Sequence, residues 1–143
     1  MKKEVSLILN KIGLMPISNK GWQALQISHL KADKQGKKYT REFIKKKLGN
    51  VSGVYLYRNK AGRILYVGKG NPIKDRLYMH FRASFERVPG DTKNQRWHKF
   101  WSRHKGILKV YWAKLQKKQE QKLIEQMLEY VLSPRFIAFP VER

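Results

Sequence analysis

The stretch that decides the fold spans residues 53–81 and reads GVYLYRNKAGRILYVGKGNPIKDRLYMHF. Two short runs of β-branched and aromatic residues, 54–57 and 64–67, flank the turn sequence 59–62, an arrangement typical of a β-hairpin. A proline soon after the second run suits the first turn of a helix that continues to about Phe85. The stretch therefore predicts two antiparallel strands followed by a helix.

Alternation along the first predicted strand separates two kinds of side chain. Because successive residues of a strand point to opposite faces of the sheet, Tyr55 and Tyr57 share one face. Val54 and Leu56 share the other face. The tyrosine side of this strand is thus a candidate for a polar site, and the aliphatic side is a candidate for core.

The predicted helix also divides its residues between two faces. Ile73, Leu77 and Phe81 recur every four residues, so they should face the core. Arg76 and His80 are also four residues apart and share the neighbouring face. The helix therefore offers a cation and an imidazole beside the hairpin.

The charge of the chain restricts its partners. Its 143 residues contain 32 Lys and Arg against 10 Asp and Glu, a net charge of +22, and 41% of them are hydrophobic. One folded domain with a modest core is expected, with nucleic acid favoured over an anionic membrane because no stretch reaches about 18 uninterrupted apolar residues. Without cysteines, disulfides and thiolate zinc sites are excluded.

Residues 1–50 read as an N-terminal extension. Val5, Leu7, Ile8 and Ile12 would form one side of a first helix, which we interpret as an amphipathic helix of a cytoplasmic protein rather than a signal peptide. Residues 21–30 are ambiguous between strand and helix, and residues 31–38 read as a charged linker.

A second helix of the extension would begin at Thr40, its expected cap, and end at Gly49. Its run of three lysines, 45–47, fits a solvated helix face and a phosphate-contacting patch equally well.

The rest of the chain alternates again between loop, helix and strand. We expect a loop at 88–94, a basic and aromatic helix at 95–105, a third strand at 108–115 and a helix at 116–132 that ends before Pro134. In the basic helix the segment RWHKFW (96–101) has two interpretations. Its rings could stack on bases, or its tryptophans could belong to the core.

The motifs together resemble the GIY-YIG nuclease superfamily. GVY at Gly53 and YVG at Gly68 look like the two halves of its signature, and Arg76 follows in the expected helix. Glu125, nine residues before the proline at 134, resembles the family's final glutamate. The resemblance covers about residues 53–136. His80 resembles the type II restriction-enzyme branch, since the excision-repair branch tends to have tyrosine there.

One position departs from the family pattern. Ile137 stands where many members carry an asparagine that is thought to brace the site.

The resemblance implies an α/β (α+β) fold, with a central three-stranded antiparallel sheet and helices on both sides. Residues 51–143 would be the catalytic domain. Residues 1–50 would form a helical extension, packed on that domain or contacting DNA, that adds helices and could add a strand.

The resemblance also assigns roles. Tyr55 is the candidate general base, and Arg76 holds a phosphate oxygen with its planar fork. Glu125 binds one divalent metal, Mg²⁺ or Mn²⁺, because one carboxylate with waters and substrate oxygens suits that ion. His80 would polarise Tyr55 or relay its proton, and Tyr66 would orient water or the phosphate. Glu129 and Glu120 are the less well-matched carboxylates.

The proposed base has an unfavourable ordinary pKa. A phenol of pKa about 10 is only about 0.1% ionised at neutral pH, and lowering that pKa by three units takes roughly 4 kcal/mol. Lys69, Arg76 and the metal would supply part of this stabilisation.

The expected substrate is DNA, cleaved in a restriction, phage or mobile-element setting, with a homodimer as one route to double-strand cleavage. The expected backbone contacts are all cations: Lys69, Lys74, Arg96, Lys99 and Arg103. The alternatives are an RNA-cleaving toxin-type nuclease, a non-catalytic nucleic-acid-binding module and a basic ribosome-associated structural protein.

Overall fold

The computed structural model describes residues 1–16, 19–29, 33–86 and 92–136, with the side chains of 92–94 left aside. Ile137 and part of the 88–94 loop lie outside these residues. The elements in chain order are α1 (Lys2–Lys11), β1 (Gln23–His29), α2 (Lys34–Leu48), β2 (Gly53–Arg58), β3 (Ile64–Gly70), α3 (Ile73–Ala83), α4 (Thr92–Arg103), β4 (Gly106–Lys114) and α5 (Lys118–Leu132). Within the described part of the chain no helix is long and apolar enough to cross a membrane.

The strands form one antiparallel sheet in the order β1-β4-β2-β3. The α+β fold class is confirmed, but the sheet has four strands where three were predicted. The fourth is β1, which resolves the ambiguity of residues 21–30. Leu25 and Ile27 point inward while their neighbours are exposed, and the strand pairs with β4 from Gln23↔Trp112 to His29↔Gly106.

The two faces of the sheet carry different cores. The aromatic core lies between the sheet and α2, α3 and α4, and its largest members include Tyr55, Tyr57, Tyr66, Trp97, Trp101 and Phe136. The aliphatic core lies between the sheet and α1 and α5, and consists of Leu9, Trp22, Val54, Leu56, Val67, Tyr111, Ala113, Ile124 and Leu128. The alternation predicted for β2 therefore separates the two cores, with Tyr55 and Tyr57 in the aromatic core and Val54 and Leu56 in the aliphatic core.

The first helix of the extension turns a different side inward from the one predicted. Leu9 is its buried residue, whereas Leu7, Ile8 and Ile12 are 60%, 51% and 53% exposed. The apolar residues of α1 exceed what one packing face can cover, so their pattern did not identify that face.

The second helix begins earlier than predicted. Asp33 is the N-cap and accepts a hydrogen bond from the Gly36 amide at 2.7 Å, while Thr40 is buried within α2. The linker expected at 31–38 is thus partly helical. Gly49 ends the helix as predicted, with φ of 56°. The three lysines at 45–47 are exposed on its surface.

Helix α3 confirms its predicted inner face, since Ile73, Leu77 and Phe81 are fully buried. The start of β2 shows why its first residue is glycine. A Cβ at Gly53 would lie 2.0 Å from the carbonyl oxygen of Ala113 on β4. The glycine therefore allows β2 and β4 to approach closely.

Candidate active site

Five of the predicted site residues converge where β2 and β3 meet α3 and α5. Tyr55 and Tyr66 have ring centroids 6.0 Å apart, and the Tyr66 ring lies 5.2 Å from that of His80. The half-buried guanidinium of Arg76 lies close enough to both phenols to act on their ionisation. Glu125 lies close enough to influence the ionisation of Tyr66. The sequence therefore identified groups that share one site, although they come from four elements.

Gly68, the glycine of YVG, makes room for the two tyrosines. A Cβ there would lie 2.6 Å from Cε2 of Tyr66 and 2.7 Å from the hydroxyl of Tyr55. Both neighbours belong to the rigid aromatic groups of buried side chains, so they cannot move aside easily. This glycine is required by close packing of the site.

A short hydrogen bond links Tyr55 to His80. The phenol oxygen lies 2.6 Å from Nε2 of the imidazole, and both side chains are buried. Burial lowers the pKa of His80 well below its ordinary value, and Arg76 and His29 lower it further. The imidazole is therefore neutral at pH 7, and in the tautomer with the proton on Nδ1 its Nε2 accepts a hydrogen bond from the Tyr55 hydroxyl.

The pKa of Tyr55 is raised, which differs from the expectation that nearby cations lower it. Arg76 acts in the expected direction, but burial raises this pKa well above its ordinary value and the charge of Tyr66 adds to the effect. Burial likewise raises the pKa of Tyr66. In this structure both tyrosines are neutral phenols.

Two tryptophans of α4 cover the imidazole. The rings of Trp97 and Trp101 each lie 4.7 Å from that of His80, at interplanar angles of 15° and 26°. Both tryptophans are buried. Of the two interpretations of segment 96–101, core packing is thus the correct one for its tryptophans.

Glu125 is the carboxylate of the site. It is half-buried, and burial raises its pKa to about 7, with a further upward contribution from Glu129. Lys69 and Arg76 oppose that rise. Glu129, one helical turn later, also influences Tyr66, so it lies within the electrostatic reach of the site.

The donor set fits a hard divalent cation held by few protein ligands. Within the residues described, no cluster of three or more His, Cys, Asp or Glu side chains is arranged to hold a metal ion. A half-buried carboxylate with a raised pKa gains from a nearby cation, because the cation favours its ionised form. Glu125 is the residue that would hold such a metal, with water and substrate oxygens completing the shell.

The predicted backbone contacts fall into three places. Lys69 lies at the end of β3 and acts on Glu125. Lys74 lines a groove between α2 and α3 together with Arg41 and Lys45. The α4 cations, Arg96, Lys99 and Arg103, are exposed. Of these five cations, only Lys69 is thus linked to the candidate site by its effect on Glu125.

Sequence reasoning missed an amide pair that ties α5 to the loop after β3. The side chains of Asn71 and Gln121 exchange two hydrogen bonds of 2.8 Å, and Gln121 donates a third, of 2.6 Å, to the Leu115 carbonyl. Gln121 is fully buried and stands one turn before Glu125. No local pattern signals a pair separated by 50 residues.

Comparison with known proteins places these features in one family. The family described as "UvrC-like GIY-YIG domain" matches residues 51–138. The chain is 28% identical over 89 residues to UvrABC system protein C of Aliarcobacter butzleri, covering 62% of this chain and 14% of that protein. It is 40% identical over 57 residues to the Bacteroides fragilis protein of the same name, covering 38% and 9%.

A solved structure was also found. It is a point mutant of the GIY-YIG N-terminal endonuclease domain of UvrC from Thermotoga maritima, bound to its catalytic divalent cation. Sequence identity is 25%, the TM-score is 0.43, and the match covers 66% of this chain and 93% of that one. The chain spans at most 14% of the length of these curated relatives. The comparisons do not support the restriction-enzyme branch that His80 indicated.

Proposed function

Because the chain belongs to the UvrC-like GIY-YIG domain family, whose members are endonucleases, we propose that it hydrolyses phosphodiester bonds in DNA with the help of Mg²⁺ or Mn²⁺. The observation that carries the proposal is the Tyr55–His80 hydrogen bond of 2.6 Å beside Arg76 and Glu125. A buried phenol paired with a neutral imidazole, a cation and a carboxylate is costly to maintain for packing alone.

Arg76 is the group that binds the scissile phosphate. Its guanidinium stays charged and lies near enough to both phenols to influence their pKa values. A phosphate oxygen held by its planar fork therefore comes to rest beside Tyr55 and Tyr66. Tyr66 then orients the attacking water or a second phosphate oxygen through its hydroxyl.

A proton relay to His80 would let Tyr55 act as a base despite its raised pKa. The attacking water gives one proton to the Tyr55 oxygen while the Tyr55 hydroxyl gives its own proton to Nε2 of His80. No free phenolate forms: the water oxygen bonds to phosphorus while the P–O bond to the leaving strand breaks, and the leaving oxygen takes a proton from solvent. The anionic phosphate brought in by the substrate favours the cationic imidazole that results. The buried pair thus serves as one acid–base unit.

Glu125 is the residue that holds the metal. A bound divalent ion supplies positive charge at the phosphate oxygens as they become more negative. The side chain is aimed at the site because Ile124 and Leu128, on either side, pack into the aliphatic core. One carboxylate favours a single-metal site.

The cations around the site would hold the nucleic-acid backbone. Lys69 lies next to the carboxylate, Lys74 lies in the α2–α3 groove, and the α4 cations are exposed. If about eight phosphates are engaged, log K falls against log salt with a slope near −7. One active site per chain makes a homodimer or two successive nicks the route to double-strand cleavage.

The direct test incubates purified protein with plasmid DNA and with structured RNA, each with EDTA, Mg²⁺ or Mn²⁺. Metal-dependent nicking of the plasmid is expected. Discrete products would indicate a restriction or mobile-element enzyme, and a smear a non-specific nuclease. Cleavage of RNA alone would replace DNA as the substrate. Tight binding without cleavage under any condition would overturn the proposal in favour of a non-catalytic module.

A further inference from the structure

Behind His80, three buried polar atoms have no hydrogen-bond partner among the residues that the structure describes. They are Nε2 of His29, the hydroxyl of Tyr57 and Nε1 of Trp101. All three side chains are fully buried in the aromatic core. Because buried polar groups in folded proteins almost always have a partner, three together require an explanation.

The three side chains pack against one another in the aromatic core. Ring centroids are 4.6 Å apart for Tyr57 and Trp101, 5.7 Å for His29 and Trp101, and 5.9 Å for His29 and Tyr57. Two of these rings border the imidazole of His80, which lies 4.7 Å from Trp101 and 5.7 Å from Tyr57. His29 packs on both of them and lies close enough to His80 to influence its pKa.

The proton positions in this cluster follow from Ser84. Its hydroxyl lies 2.8 Å from Nδ1 of His29 and donates to the carbonyl oxygen of His80 at 3.4 Å. With the serine proton used in this way, Nδ1 of His29 carries a proton and donates to Ser84. Burial lowers the pKa of His29 to about 3, so Nε2 is a bare acceptor at neutral pH.

The cluster has the donors and acceptors for one water molecule. The indole N–H of Trp101 can only donate, Nε2 of His29 can only accept, and the Tyr57 hydroxyl can accept. A water accepts from the first and donates to the other two. Internal waters typically make about three such bonds, which is the number that these three atoms offer.

We infer that His29 is a positioning residue of the active site: with Tyr57 and Trp101 it binds one internal water behind His80, and through Ser84 it anchors the turn of α3 that carries His80. The inference rests on the proposed function for its catalytic part. His29 comes from β1 in the extension, outside the residues 51–138 that match the family. The extension therefore completes the site rather than merely covering it.

The water is tested first, without reference to cleavage. In the full-length protein, NMR should show a cross-peak between the Trp101 indole proton and a long-lived water. Tyr57→Phe should lower the Tm by about 2–4 °C, because it removes one of the water's partners. An absent cross-peak together with a raised Tm, the result expected if the hydroxyl is unsatisfied, would overturn the water site.

The positioning role is tested with His29→Phe, which keeps a ring but removes both nitrogens. At saturating DNA the cleavage rate should fall about tenfold with KM unchanged. The ¹⁵N chemical shifts of the His80 ring should also change, because Nε2 would then carry the ring proton in part of the molecules instead of only accepting a hydrogen bond. An unchanged rate and unchanged His80 shifts would overturn the role.

Trp22→Phe is the matched control. Its Nε1 is also buried and unpartnered, but it lies in the aliphatic core. This variant should lose stability and keep both the cleavage rate and the His80 shifts. A loss of rate equal to that of His29→Phe would show general loosening and overturn the inference. If the wild type cleaves nothing, the proposed function fails while the water and the His80 shifts still decide the structural part.

Discussion

The two cores of this protein lie on opposite faces of the same sheet and differ in the polarity of their side chains. The aromatic core holds Tyr55, Tyr57, His80 and the two buried tryptophans of α4, all with polar atoms. The aliphatic core is mostly Leu, Val and Ile. Three of the four unpartnered buried atoms within the described residues lie on the aromatic side.

The difference shows how β2 performs two tasks with one alternation. Its odd-numbered tyrosines supply hydroxyls to the site, while Val54 and Leu56 contribute only buried apolar surface. Burying hydroxyls requires partners, and burying aliphatic groups requires only close packing. Substitutions on the aromatic side should therefore change the rate, and those on the aliphatic side the stability.

The largest effect is expected at Glu125. It lies on α5 between residues of the aliphatic core, but its carboxylate influences the phenol of Tyr66 in the aromatic core. Glu125→Gln keeps the side-chain volume and removes the metal ligand. Metal-dependent cleavage should fall by about 10³-fold or more while DNA binding survives. Single-turnover assays with plasmid, together with gel-shift binding, measure this.

Metal-free stability provides the folding control for that variant. The pKa of Glu125 is raised from 4.5 to about 7, so the folded protein binds its proton more tightly than the unfolded chain. Wild-type stability should thus decline as pH rises from about 4.5 to 7, and Glu125→Gln should lack this decline. Glu120→Gln, in the first turn of α5, should behave as wild type. Full cleavage by Glu125→Gln would remove the metal-ligand assignment.

The second effect contrasts neighbours on β2. Tyr55→Phe removes the hydroxyl bonded to His80 and should slow cleavage by about 10²–10⁴-fold, with far-UV circular dichroism unchanged. Leu56→Ala, on the other face, should destabilise the protein by about 2–5 kcal/mol in urea unfolding, with folded molecules cleaving normally. Wild-type cleavage by Tyr55→Phe would end the relay mechanism.

Much of this site could be predicted from the sequence because its signals are local. Glycine beside tyrosine on two strands and Arg76 four residues before His80 are short-range patterns, and the structure brings these side chains together. The alternation of β2 likewise reflects only the pleat of a strand. Such features do not depend on how distant segments pack.

The features that could not be predicted depend on tertiary contacts. The seven residues of β1 form a strand because they pair with β4, which lies about 80 residues later in the chain. The pKa of Tyr55 is raised because its side chain is buried, and the sequence alone does not show that burial. The inward side of α1 was ambiguous because Leu7, Ile8 and Leu9 are consecutive.

A third, smaller effect is expected at the amide pair that ties α5 to the loop after β3. Gln121→Leu keeps the volume but breaks the amide pair with Asn71 that fixes α5. Glu125 should then be held less accurately, and the apparent Mg²⁺ affinity should weaken by about 10–100-fold. Titrating cleavage against Mg²⁺ measures it. The exposed Gln119→Leu is the control, and equal titration curves for the two variants would show that the pair does not position the carboxylate.

The smallest effect is expected at Glu129, which distinguishes a metal ligand from an electrostatic neighbour on the same helix. Its charge raises the pKa of Glu125, so Glu129→Gln should lower that pKa. Because the ionised carboxylate is the metal-binding form, the acid limb of the cleavage profile should move to lower pH by a fraction of a unit, with the plateau rate nearly unchanged. Rates from pH 5 to 9 at fixed Mg²⁺ test this. A loss of plateau rate as large as that of Glu125→Gln would instead make Glu129 a metal ligand and bring a second carboxylate into the site.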